Sequence, residues 1–169
     1  MTTQGHAVRE IHLNPGDLWF GGGLVRLRTV LGSCVSITLW HPQRRIGGMC
    51  HFMLPGRVRS KAAELSGKYA DEAFQIFDAE MSRAGTRHRE YQAKIFGGGN
   101  MFPNAGIRIQ GDVGQRNVEI AHKLLARRGI EVVVQHVGGA GHRKLIFDVW
   151  NGDAWLNFQD MLAERSEKA

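Results

Sequence analysis

Residues 35–40 read Val-Ser-Ile-Thr-Leu-Trp, an unbroken apolar/polar alternation that is the mark of a β-strand. Next come His41-Pro42-Gln43-Arg44, with proline where a tight turn accepts it, and then 46–55, Ile-Gly-Gly-Met-Cys-His-Phe-Met-Leu-Pro, as a return strand. A turn over 41–44 pairs Trp40 with Arg45 and, counted back, sets Cys34 directly opposite His51. Directly opposed residues have Cβ atoms about 4.5–5.5 Å apart, so thiol and imidazole become neighbours. A loop one residue longer would set His51 against Val35 instead. A cysteine beside a histidine is a nucleophile beside its base, and the imidazole is expected to lower the Cys34 pKa. Cys50 is one step from His51, points to the other face, and reads as a small buried hydrophobe.

The chain has 169 residues, consistent with one domain over 1–169 that buries a core without disulfides or metals. Two cysteines exclude a disulfide framework and suit a reducing compartment. There is no apolar run near the ~18–20 residues of a membrane helix, and the polar start at 1–6 does not read as a signal peptide, so a cytoplasmic location without membrane insertion is expected. The formal net charge of +6 favours an acidic partner, whether nucleic acid, anionic membrane or acidic protein surface. Arg26, Arg28, Arg44, Arg45, Arg57, Arg59 and Lys61 are near the hairpin in sequence. They are either a basic rim around the site, with Arg44 and Arg45 docking a substrate, or ordinary solvated charges.

Further strands are expected at 7–13, 24–30, 93–96, 130–137, 144–150 and 154–158, the last two joined by the hairpin turn Asn151-Gly152-Asp153. Helices fit 69–83, with Ala70, Ala73, Phe74, Phe77 and Met81 in one apolar stripe, and 112–128, capped by Asp112 and ended at Gly129. The tail 159–169 is expected to fray. Two helices against many strands, several in hairpins, indicate an α+β fold.

Gly97-Gly98-Gly99 follows a strand but lacks the Lys-Ser/Thr ending of a phosphate loop, so a tight turn or close backbone approach to the hairpin explains it better. No Cys-x-x-Cys or His-Glu-x-x-His spacing is present, and no metal or cofactor is expected. His122 and His142 read as solvated. A Cys-His pair attacks an acyl carbon and hydrolyses the resulting thioester, with peptides, esters or carboxamides as substrates. Thr29 is the nearest group in sequence to orient the imidazole, and the amides of Ser33 and Cys34, freed by Gly32, are candidate oxyanion donors.

Leu31-Gly32-Ser33-Cys34-Val35, Arg45-Ile46-Gly47-Gly48-Met49 and His51-Phe52-Met53-Leu54-Pro55 closely resemble the signature of the CheD family of chemoreceptor glutamine deamidases. The likeness continues through Lys94-Ile95-Phe96-Gly97-Gly98-Gly99, Met101-Phe102, Gly114-Gln115-Arg116-Asn117, Val137-Gly138-Gly139, Arg143-Lys144 and Phe147-Asp148, nearly the whole chain. It implies hydrolysis of chosen glutamine side chains on methyl-accepting chemoreceptors to glutamate and ammonia. The catalytic triad it implies is Cys34 as nucleophile, His51 as base and Thr29 as third member. The implied fold is a β-sandwich core with flanking helices, similar to toxins that deamidate glutamine in small GTPases. Some members also bind CheC, a phosphatase of the response regulator CheY, so an alternative function is a non-catalytic adaptor of a CheC-type phosphatase. An adaptor needs neither Cys34 nor His51. A nucleic-acid-binding reading ranks last, since no helix-turn-helix or aromatic single-strand platform is present.

Overall fold

The computed structural model describes residues 5–103 and 112–163. Among these residues nine strands form two sheets. The first has the order β1 (Arg9–His12), β3 (Val25–Leu31), β8 (Gly141–Asp148), β9 (Ala154–Asp160). The second has the order β2 (Leu18–Gly22), β5 (Ile46–Cys50), β4 (Val35–His41), β6 (Gln92–Gly97), β7 (Glu131–Val137). Two helices, α1 (Ala70–Arg83) and α2 (Val113–Arg128), complete a mixed α+β architecture.

The core has two parts, one on each face of the second sheet. On one face Val35, Ile37, Leu39, Cys50, Phe52 and Ile95 pack against Phe74, Phe77 and Met81 of α1 and Ala121, Leu124 and Leu125 of α2. Full burial of one such phenylalanine contributes about 1.5–3 kcal/mol. On the other face Met49 and Phe96 meet Leu27, Leu31, Leu145 and Phe147 of the first sheet. The layers are therefore sheet, sheet, helices, which is the α+β class expected from the residues and the sandwich-like core with flanking helices that the family resemblance implies.

This arrangement explains β4. Its alternation suggested a half-exposed strand, yet Ser36 and Thr38 are as buried as Ile37 and Leu39, because the polar positions face the other sheet rather than water. The ends of both helices follow the sequence. Asp112 accepts a hydrogen bond from the Gln115 amide at 3.3 Å, and α2 stops at Gly129, in the left-handed region with φ 65°. Gly85, with φ 70°, follows α1.

Three expectations differ. The second strand, Leu18–Gly22, is absent from the sequence reading because its Gly-rich end and three consecutive bulky apolar residues give no alternation. The return strand β5 ends at Cys50 rather than Pro55, with only an isolated bridge, Val35 to Phe52, beyond it. The segment expected to fray from 159 is strand as far as Asp160, held by Gly141 and His142 of β8; residues 164–169 of that expectation lie outside the described residues.

Candidate active site

The β4–β5 register is Thr38 to Met49, Leu39 to Gly48, Trp40 to Gly47 and His41 to Ile46. Together with the Val35 to Phe52 bridge, it sets His51 opposite Ser36, not Cys34. The turn is two residues out of step with the sequence reading because Ile46 pairs with His41, leaving Pro42 to Arg45 as the loop. Arg45 adopts a positive φ of 50° there. A slip of two preserves the face on which every side chain falls, whereas a slip of one reverses it. Cys34 and His51 thus still share a face as diagonal neighbours, about 7–8 Å apart at the backbone and within reach of long side chains. Cys34 packs against the core between the sheets, while Cys50 is buried on the opposite face among the helix contacts.

Thr29 comes from the other sheet. It points inward from β3 between Leu27 and Leu31 and is 2% exposed. Its Oγ1 lies 2.7 Å from His51 Nδ1 and 2.7 Å from the Leu13 carbonyl oxygen. A hydroxyl has one proton, and the carbonyl can only accept. Both contacts are hydrogen bonds only if Thr29 donates to Leu13 and accepts from an Nδ1–H of His51. That places the lone pair on Nε2, which is buried without a hydrogen-bond partner. The Leu13 carbonyl is a member of this relay that sequence reasoning missed, since a backbone acceptor leaves no residue-type signal.

Burial sets the protonation of both groups. It drives the His51 pKa down to about 4, opposed weakly by the charge of Asp17, so the imidazole is a neutral base at physiological pH. Burial also pushes the Cys34 thiol up, with a smaller opposite effect from its own backbone amide. The expected lowering of the Cys34 pKa by His51 is therefore reversed: desolvation outweighs a partner that carries no charge. Cys50, fully buried, is pushed up to about 12.

The loop before Cys34 is held by glycine backbone. The Gly98 amide donates to the Cys34 carbonyl at 2.9 Å and the Gly99 amide to the Gly32 carbonyl at 2.9 Å. At Gly97, where φ is 111°, a Cβ would come within 2.2 Å of the Cys34 carbonyl oxygen. Close approach to the hairpin, one of the two sequence explanations for these glycines, is realised. Among the described residues the Ser33 and Cys34 amides donate to no backbone carbonyl.

The basic residues do not gather at this site. Arg26 forms a bidentate pair with Asp148, Arg28 reaches Glu10, and Arg57 and Arg59 pair with the buried Glu72. Arg44 and Arg45 occupy the turn at the opposite end of β4 from Cys34, about 20 Å away at ~3.3 Å per residue. Sequence proximity misled here because a hairpin separates its turn from its open end. His142 is exposed on β8, and His122 is half-buried, 2.9 Å from Gln135. Among the described residues no cluster of three His, Cys, Asp or Glu side chains could hold a metal ion. No described helix is long and apolar enough to cross a membrane.

A two-sheet core with helices on one side carries a buried, neutral imidazole held by a threonine of the facing sheet, with Cys34 on the same face of the neighbouring strand. The family of the chain follows from similarity. Residues 53–158 match the model of CheD, described as CheD chemotactic sensory transduction. The chain is 54% identical over 151 residues to the probable chemoreceptor glutamine deamidase CheD 3 of Dechloromonas aromatica, covering 89% of this chain and 88% of that one. It is 49% identical over 158 residues to the probable chemoreceptor glutamine deamidase CheD of Pseudomonas savastanoi, covering 92% and 88%. The chain belongs to the CheD family. Among solved structures, a hypothetical protein YfiH of Bacillus licheniformis is similar with a TM-score of 0.46 and 15% identity, over 79% of this chain and 60% of that one. The family match begins at residue 53, so Thr29, Cys34 and His51 precede it.

Proposed function

We propose that this protein is a chemoreceptor glutamine deamidase in which Cys34 is the nucleophile, His51 the general base and acid, and Thr29 the group that orients the imidazole. The observation that carries the assignment is the 2.7 Å contact of Thr29 Oγ1 with His51 Nδ1, which leaves Nε2 as an unpartnered acceptor on the Cys34 face. With thiol and imidazole both neutral at rest, proton transfer accompanies attack. Nε2 takes the Cys34 proton as Sγ bonds to the glutamine carboxamide carbon, and the carbonyl electron pair moves to oxygen, toward the Ser33 and Cys34 amides. Collapse returns that proton to nitrogen and expels ammonia, leaving a thioester. Water then adds, His51 takes its proton and returns it to sulfur, and glutamate leaves.

The relatives' name supports chemoreceptors as substrate. With the cytoplasmic part of a receptor as substrate, this reading has the chain act in the cytoplasm, where Cys34 stays reduced. Contact through Arg44 and Arg45 requires a substrate surface running the length of β4, which a long receptor helix supplies. A CheC-type phosphatase as a further partner remains part of the adaptor reading, and the oriented imidazole favours the enzyme over it.

The test is mass spectrometry of a receptor cytoplasmic fragment incubated with the protein. Conversion of carboxamide to carboxylate adds about 1 Da per event. Gain at defined glutamines, absent with Cys34→Ala, is expected. An unmodified receptor after prolonged incubation with folded protein overturns the proposal.

A further inference from the structure

Asn117 is on α2, fully buried, and far in sequence from every residue of the triad. Its Nδ2 donates to the Ser33 carbonyl at 3.2 Å and to the Met53 carbonyl at 2.8 Å. Both partners are carbonyls, so the amide orientation is unambiguous: nitrogen faces them, and Oδ1 is left buried without a donor. A half-satisfied buried amide is a poor packing choice, since an apolar side chain would leave nothing unpaired on the helix. What the amide supplies is a clamp. One carbonyl immediately precedes the nucleophile and the other is two residues past His51.

The clamp sits where β4 loses its regular pairing with β5, although its pairing with β6 continues to Val35 and Gly97. Regular β4–β5 pairing ends at Thr38 and Met49, and only the isolated Val35 to Phe52 bridge continues it toward Cys34 and His51. The peptide joining Ser33 to Cys34 is trans and planar, so its C=O and N–H point in opposite directions. Holding the Ser33 carbonyl toward α2 therefore turns the Cys34 N–H away from the helices, to the side on which Cys34 packs against the core between the sheets. The start of α2 is itself seated on this loop. A Cβ on Gly114 would come within 2.5 Å of the Gly98 carbonyl oxygen, and Gly98 donates to the Cys34 carbonyl.

We infer that Asn117 is a positioning residue for the deamidation proposed above: by fixing the Ser33–Cys34 peptide through the Ser33 carbonyl, it presents the Cys34 amide N–H to the oxyanion. The inference rests on that reading of Cys34. It separates two steps. The oxyanion exists only in attack on a carbonyl, whereas alkylation of Cys34 by iodoacetamide is a displacement at sp³ carbon and develops none. Asn117→Leu, close in size and without donors, should lower kcat for glutamine deamidation by about 10²-fold with KM within twofold, as loss of an interaction made only in the transition state does. The Cys34 alkylation rate and its pH profile should stay within twofold of wild type. Asn117→Ser, which keeps one donor, should fall between wild type and Asn117→Leu, and it carries the comparison if Asn117→Leu fails to fold.

A folded variant with wild-type kcat overturns the inference while leaving the deamidase reading intact. So does a parallel loss of deamidation and alkylation, which would make Asn117 merely a support for the whole loop. A wild-type protein that alkylates at Cys34 but deamidates no receptor removes the deamidase reading, and the inference with it.

Discussion

Thr29 on β3 and His51, one residue past the end of β5, meet at 2.7 Å across the core between the two sheets, the threonine relaying to the Leu13 carbonyl. The contact holds the imidazole in one orientation and one tautomer. Without it, the Nδ1–H would be a buried donor lacking a partner, and the ring would be free to turn.

Thr29→Val keeps the shape and removes the acceptor. It is expected to lower kcat about 10- to 10²-fold, since a general base contributes roughly 10²–10⁴-fold and only its orientation is disturbed. Thr29→Ser should retain most activity. Nitrogen-15 NMR of the His51 ring in the wild type should report a protonated Nδ1 and a bare Nε2; the opposite tautomer would contradict the relay.

The two cysteines should separate cleanly. Cys34 is half-buried and Cys50 fully buried on the other face, its thiol pushed up to about 12. Iodoacetamide should label Cys34 alone in the folded protein, slowly near neutral pH because burial also raises that thiol. Cys34→Ala should abolish deamidation and Cys50→Ala preserve it. Peptide mapping that finds both sites equally modified would refute the burial difference.

The pH dependence follows from His51. Its folded pKa is held near 4 by burial, against about 6.5 unfolded, so between those values the unfolded chain binds more protons than the folded one. Stability from this group is complete above about pH 6.5 and is lost as pH falls toward 4, by up to about 3 kcal/mol. For activity, the neutral base persists to the same low pH. The acid limb of kcat/KM should lie well below 6.5, and a limb at 6.5 in stopped assays would show that His51 is solvated.

Gly97→Ala tests the loop that carries Cys34. The substitution adds a Cβ at φ 111° and 2.2 Å from the Cys34 carbonyl oxygen, so the backbone must shift. A loss of about 2 kcal/mol or more in denaturant unfolding is expected, together with impaired deamidation. Gly23→Ala has a comparable φ of 87° but open space around the added carbon, and should cost less. Equal costs would mean that backbone strain alone, and not contact with Cys34, fixes Gly97.

Much of this site was legible locally. The alternation at 35–40 marked β4, the stripe at 70–81 marked α1, and Asp112 and Gly129 bracketed α2, because capping and periodicity act within a few residues. The face shared by Cys34 and His51 was also legible: it depends only on parity along the strands and survives the two-residue error in register. Register itself was not, since Pro42 permits loops of more than one length and their choice lies with packing of the two sheets. Nothing local reveals that the chain crosses from one sheet to the other between Leu31 and Val35, so that Thr29, five residues before Cys34, faces His51 from the opposite layer. The same holds for Asn117, whose helix is evident in the sequence but whose carbonyl partners stand 84 and 64 residues away. Residue types and their periodicity determined most of the elements and singled out Cys34 and His51 as candidates; only the tertiary structure decided their protonation, because desolvation of His51 and Cys34 depends on how the two sheets close over them.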